Sequence, residues 1–252
     1  MKLRGIVYLD KSICSMASLS KSYRPIRRDI AFGATCQKCN RVLRSHTAYI
    51  LYGEDDGEQT FGPSCAKKVL NEAGISALKS VPDYTAAITS PDDDESLEED
   101  EARQQGAREP VHREPAASDQ QEIRYLLLRQ RVLQHIPGAS YQPLEKYVLQ
   151  YDQGGTLSPA AVRHVGNIMR KHDGGRYGMR SLLTVHAYDA ALAYSLSISR
   201  LKNNKFLNDI HAYLHRHLRL TPKQIDAADK DLPNGVSLDH AGFYVPERPS
   251  DE

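Results

Sequence analysis

Two intervening residues separate Cys36 from Cys39 in Cys36-Gln37-Lys38-Cys39, and Cys65 closes the segment Phe61-Gly62-Pro63-Ser64-Cys65. Three soft thiol side chains at such spacing form a donor set for one tetrahedral metal ion, and zinc is the ion that such donors favour. Cys14, the remaining cysteine, is the first choice for a fourth ligand and His46 the second; a site of three cysteines is the other arrangement. The thiols have two competing uses. Disulfides call for export, yet residues 1–10 contain no apolar stretch of the kind a signal sequence needs. A thioredoxin-like redox pair at Cys36 and Cys39 would leave Cys65 without a purpose. The expectation is a cytoplasmic protein with reduced thiols. No run of about eighteen apolar residues occurs, so no membrane span is expected.

The elements around the cysteines have to bring the sulfurs together. Asn40, directly after the second cysteine, is the residue type other than glycine that best tolerates a left-handed turn. Short strands are expected over 48–52 and 59–61, followed by a helix over 64–74 that Ser64 caps and Gly74 ends. Cys65 then lies in the first helical turn, where the positive end of the helix favours a thiolate.

The order of knuckle, two strands and cysteine-bearing helix resembles a treble-clef zinc finger. Cys36-Gln37-Lys38-Cys39-Asn40-Arg41-Val42-Leu43 with Phe61-Gly62-Pro63-Ser64-Cys65 resembles the small Gly-Pro-x-Cys zinc domains of phage, plasmid and other bacterial mobile-element proteins. The resemblance spans about a sixth of the chain and implies a zinc-stapled N-terminal domain. Such domains place two ligands on the final helix, whereas this chain has Lys68 three residues after Cys65. His46 beside a treble clef also raises His-Asn-His nuclease chemistry, with a histidine base and a cation steadying the leaving oxyanion. The second His or Asn of that chemistry is missing, and Lys67 and Lys68 occupy its place, where they suit phosphate contact.

Composition shifts abruptly in the middle of the 252 residues. From 85 to 121 the chain is acidic and then rich in Gln, Gly, Pro and Ala, with too little apolar surface to offset the entropy of ordering it. A disordered linker is expected there. Residues 1–53 hold ten Lys and Arg against Asp10 and Asp29, and residues 123–252 hold seventeen against twelve acids, so the net charge of +1 conceals two basic modules around an acidic stretch. Basic modules suit nucleic-acid phosphates, although charge runs also simply solvate a surface.

Helical periodicity marks 123–136, 144–151, 159–169, 182–201, 205–217 and 222–232. Leu157-Ser158-Pro159 and Leu220-Thr221-Pro222 each supply a hydroxyl cap before a proline at the first helical position, and Thr221 with Gln224 makes a capping box. An offset of 63 residues aligns Leu144 with Leu207, Tyr147 with Ile210, Tyr151 with Leu214, Leu157 with Leu220 and Val162 with Ile225, so duplication of a helical hairpin and coincidence both remain open. The second copy, with Leu220-Thr221-Pro222-Lys223-Gln224, resembles a short helical motif of phage and plasmid proteins. His211 and His215 are spaced for one metal, but with no third ligand evident they read as a solvated helix face.

The fold class expected is α+β: a zinc-stabilised, treble-clef-like domain over 1–84, a disordered acidic linker over 85–121, an α-helical bundle over 122–240 and a tail over 241–252. The metal ligands expected are Cys14, Cys36, Cys39 and Cys65. The nucleic-acid contacts expected are Arg24, Arg27, Arg28, Lys38, Arg41, Arg44, Lys67 and Lys68 near the finger, with Arg176, Tyr177, Arg180 and Lys223 in the helical half. No Walker loop, Rossmann fingerprint or paired acid-base constellation is present. The expected role is non-enzymatic binding of DNA or RNA as an accessory subunit of a larger nucleoprotein complex, with a protein-interaction adaptor as the rival.

Overall fold

The computed structural model describes residues 22–85, 117–136, 139, 141–234 and 236–239. Cys14, the acidic run and the 241–252 tail lie outside the described residues. The architecture is α+β, with a small three-stranded sheet followed by helices.

Strands β1 (Tyr23–Ile30), β2 (Thr47–Gly53) and β3 (Gly57–Phe61) form an antiparallel sheet in the order β1-β2-β3. The hairpin of β2 and β3 agrees with the sequence expectation; β1 had been read only as a basic segment. Its register shifts between Pro25 and Arg27, which puts the residue lacking an N–H at an irregularity of an edge strand. Asn40 adopts the left-handed conformation expected of it, at φ 54°.

The expected 64–74 helix is instead two short ones, α1 (Pro63–Val69) and α2 (Glu72–Ala77). Gly62 rather than Ser64 is the N-cap, because Pro63 fixes the first helical φ and has no donor to satisfy. Asn71 interrupts the helix by capping the next one, its side chain accepting from the Gly74 N–H at 2.8 Å. Gly74 is therefore inside α2, where a Cβ would lie 3.0 Å from Leu70 Cδ2.

The helical part consists of α3 (Ala117–Leu133), α4 (Gln142–Gly154), α5 (Pro159–Lys171), α6 (Met179–Ser197), α7 (Lys205–His217) and α8 (Pro222–Asp229). Helix thus begins inside the stretch assigned to the linker, and Thr85 at its other edge is buried. The hydroxyl caps at Ser158 and Thr221 form as expected, the latter with its full capping box. Seven consecutive residues of α6, 182–188, are buried, which makes it the central helix. It packs against α3 and α7, while α3 also holds α4 and α5, and α7 holds α8.

The two hairpins repeat at a constant spacing. The N-caps Tyr141 and Asn204, the left-handed C-caps Gly155 and Leu218, and the caps Ser158 and Thr221 each stand 63 residues apart. Gly155 is exposed at this turn, whereas Leu218 accepts the same backbone conformation with its side chain buried in the core.

The sheet and the helices share one interface. Ile30, Phe32 and Tyr84 pack into the helical core, and Phe32 stacks on Tyr194 with ring centroids 6.1 Å apart. At its centre Asp29, only 3% exposed, accepts from Arg27 Nε at 2.7 Å and the Ile30 N–H at 2.9 Å, pairs with His186 Nε2 of α6 at 2.7 Å, and faces Arg131 of α3 at 3.4 Å. Beside it Gly33 has φ +62°, and a Cβ there would lie 2.2 Å from Tyr194 Cε2. Alanine at position 33 should therefore cost roughly 2–3 kcal/mol, from left-handed strain and displacement of Tyr194. Urea unfolding of Gly33→Ala at unchanged m-value checks this; an unmoved midpoint would show that the contact carries no energy.

Candidate metal centre and its basic surround

The three described cysteines converge. The Sγ atoms of Cys36, Cys39 and Cys65 all lie within 4.8 Å of one another, close enough to share one ion. Two local structures bring this about. The knuckle is closed by the Cys36 N–H donating to the Arg41 carbonyl and the Asn40 N–H donating to the Cys36 carbonyl, the second enabled by the left-handed Asn40. Across from it, Gly62 starts α1 and sets Cys65 in the first turn, its N–H donating to the Gly62 carbonyl.

The electrostatics suit a cation. Burial opposes the Cys36 thiolate, but amide hydrogen bonds from Gly62, Cys39 and Lys38 outweigh it and bring this thiol down to about 7. Gly62 N–H lies 3.5 Å from its sulfur. Burial, and then the neighbouring sulfurs of Cys36 and Cys39, push Cys65 up to about 11. Three thiols crowded together cannot all ionise on their own, and a bound dication removes that conflict. Cys36 is 1% exposed and sits in a core with Leu51, Phe61 and Ala66, whereas Cys39 faces solvent.

His46 is not part of this cluster. Its ring packs on Phe32 with centroids 5.0 Å apart, and its buried Nδ1 has no partner among the described residues. Cys14 lies outside the described residues, so the described donor set is the three sulfurs.

No protein-family model, curated protein or solved structure matches this chain. Function is therefore read from the chain's own chemistry.

The expected nucleic-acid residues divide into groups. Lys38, Arg41, Arg44, Lys67 and Lys68 are exposed around the cysteine cluster, and none forms an ion pair with a described residue. Lys38 Nζ donates to the Lys68 carbonyl at 3.3 Å, which draws the knuckle and the end of α1 into one basic surface. Arg24 is also exposed, its guanidinium 5.0 Å from the Tyr52 ring centre, at the rim of a cleft of about 990 Å³. Arg131 of α3 and Tyr151 of α4 line the other side of this cleft.

Three expectations need correction. Arg27 is not a surface cation: it is 8% exposed, bidentate to Glu58 at 2.8 and 2.7 Å, and bound to Asp29. Burial works against its charge, yet Glu58 and Asp29 hold it firmly protonated. Arg28 is half-buried and ties Asp83 at 3.2 Å, so it fastens the chain leaving α2 against β1. Tyr177 lies under two guanidinium groups, Arg129 at 4.7 Å and Arg176 at 5.4 Å, and its carbonyl accepts from Tyr125. These contacts give the ring a use within the fold itself. Arg176 also donates to the Arg216 carbonyl at 3.1 Å, while Arg180 and Lys223 are exposed on α6 and α8.

Two groups escaped the sequence reading. Asp29 carried no signal beyond being one of two acids in a basic stretch, since its partners lie far along the chain. Asp189 supplies the third donor beside His211 and His215 that the sequence did not reveal.

Among the described residues no helix is long and apolar enough to cross a membrane.

Proposed function

We propose that the N-terminal module is a zinc-stapled nucleic-acid-binding element, and that the protein acts without catalysis as an accessory subunit of a nucleoprotein complex. The observation that carries this reading is the segregation of charge along the hairpin. Lys38, Arg41, Arg44, Lys67 and Lys68 crowd the end that bears the cysteines, whereas Glu54, Asp55 and Asp56 occupy the opposite, turn end between β2 and β3. A zinc ion with three thiolates carries one net negative charge, which the five exposed cations outnumber at that end. Cations on a knuckle and the last turn of a short helix are suited to phosphate contact, and a stapled backbone spares the ordering of the loop when a ligand binds. Arg24 over Tyr52, near the turn end of the sheet at the rim of the cleft, is a separate place where charge and an aromatic ring meet.

Charge reversal of Arg41, Arg44, Lys67 and Lys68 to Glu tests this. Binding to single- and double-stranded DNA and RNA, titrated with salt, should weaken strongly, and the slope of log K against log salt should fall by about three. Affinity and slope unchanged from the natural sequence would rule the surface out, and the same titration reports which nucleic acid is preferred.

A further inference from the structure

We propose that Asp189, His211 and His215 form a second metal site, independent of the cysteine staple and built for a transition-metal dication such as zinc. The two histidines are one turn apart on α7, and Asp189 faces them from the neighbouring helix α6. His211 Nε2 and His215 Nε2 approach the same carboxylate oxygen, Asp189 Oδ1, at 2.7 and 2.5 Å. All three ligand atoms lie within 4.8 Å of one another. The two imidazole rings are themselves only 4.3 Å apart between centroids.

This arrangement suits a dication. Two ring nitrogens from one helix and a carboxylate oxygen from its neighbour converge on one place, each with a lone pair to give. A single ion between them takes one lone pair from each ligand. Zinc sits about 2.0–2.2 Å from such nitrogen and oxygen atoms, so the present short contacts would open by less than about 1 Å to admit it. The helices need not move for that. All three side chains are partly exposed, at 21%, 26% and 31%, so an ion can enter from solvent.

The donor set also indicates what kind of site this is. Three protein ligands of the His, His, carboxylate type leave a fourth position free for water, in contrast to the closed all-sulfur sets that staple folds. A cavity of about 70 Å³ adjoins Asp189 and His215, bordered by Gln134, His135 and His186. That space is large enough for a water, and His135 stacks on the His215 ring at 4.6 Å. The ligand class is therefore a borderline dication with an exchangeable water.

The test is metal content of the full chain after dialysis against micromolar zinc. Two zinc ions per chain are expected. Asp189→Asn or His211→Gln should lower this to one, and Cys36→Ser should also lower it to one, by emptying the other site. Cobalt bound to Cys36→Ser should show weak visible bands without thiolate charge transfer. The unsubstituted protein supplies a control that no folding defect can blur: nitrogen resonances of the His211 and His215 rings should shift as the second equivalent of zinc is added. A single zinc per chain that disappears with Cys36→Ser, undiminished zinc in Asp189→Asn, or ring resonances indifferent to zinc would each overturn the site. Because the two sites are read separately, failure of the cysteine staple would leave this result standing, and the reverse holds too.

Discussion

Replacing Cys36 with serine should unfold the N-terminal module, with hydrogen-exchange protection lost across β2 at Tyr49, Ile50 and Leu51. Two losses combine at this position. Cys36 is one of three clustered sulfurs that could hold a metal ion, its thiolate stabilised by three amides, and it is also a buried member of a small core. A structural zinc is worth on the order of 10–16 kcal/mol in small zinc modules, as much as the whole stability of an ordinary domain. The buried apolar set around it, from Leu43 through Tyr49, Ile50, Leu51 and Phe61 to Leu70 and Leu78, is a small core to set against such a loss. Chelation of the unsubstituted protein should reproduce the effect. Acid should as well, since the thiolates must be deprotonated to hold metal. Protection at Tyr49–Leu51 that survives both the substitution and chelation would mean that the sheet stands without its staple.

The second large effect belongs to Asp29. Asp29→Ala should cost about 3–5 kcal/mol, because it removes a buried carboxylate shared by Arg27, Arg131 and His186 and leaves His186 Nε2 without that partner. Burial disfavours the Asp29 carboxylate, but His186 first, and then Arg131 and Arg27, hold it well below the usual carboxylate range. The sign follows from the depressed value: the ionised group stabilises the folded state at pH above about 4, and that stabilisation drains away as the pH falls further. Asp29→Asn keeps the shape and removes the titration. It should be less stable than the natural sequence at pH 7, and the gap should narrow in acid. A gap that stayed constant from pH 7 to pH 3 would place the acid sensitivity elsewhere.

Local signals in the sequence were read well and long-range ones poorly. Ser158 and Thr221 are features whose physics acts within a few residues, and α7 begins and ends where periodicity places it. Asn40 belongs to the same class. In β1, however, the alternation is obscured by Arg27, which points inward because Glu58 and Asp29 await it there. Nothing within reach of Arg27 along the chain announces those partners, so it looked like one more surface cation. Asp189 and the pair of His211 and His215 are 22 and 26 residues apart, on different helices. Their meeting depends on how α6 packs on α7, which no local pattern encodes. Asn71 shows the converse: it is a strong capping residue by type, and its cap divides the helix expected to run on to Gly74.

The chain enters the helical core at Tyr84, before the acidic stretch starts, and it does so while paired to β1 through the Tyr84 N–H and the Arg28 carbonyl. Sheet and helices are thus already joined through surface contact on one side of residues 86–116. Whatever path those residues take, their covalent continuity serves to set the effective concentration of one module for the other, while the interface itself supplies the affinity. Lengthening or shortening residues 86–116 should accordingly have little consequence for how sheet and helices meet.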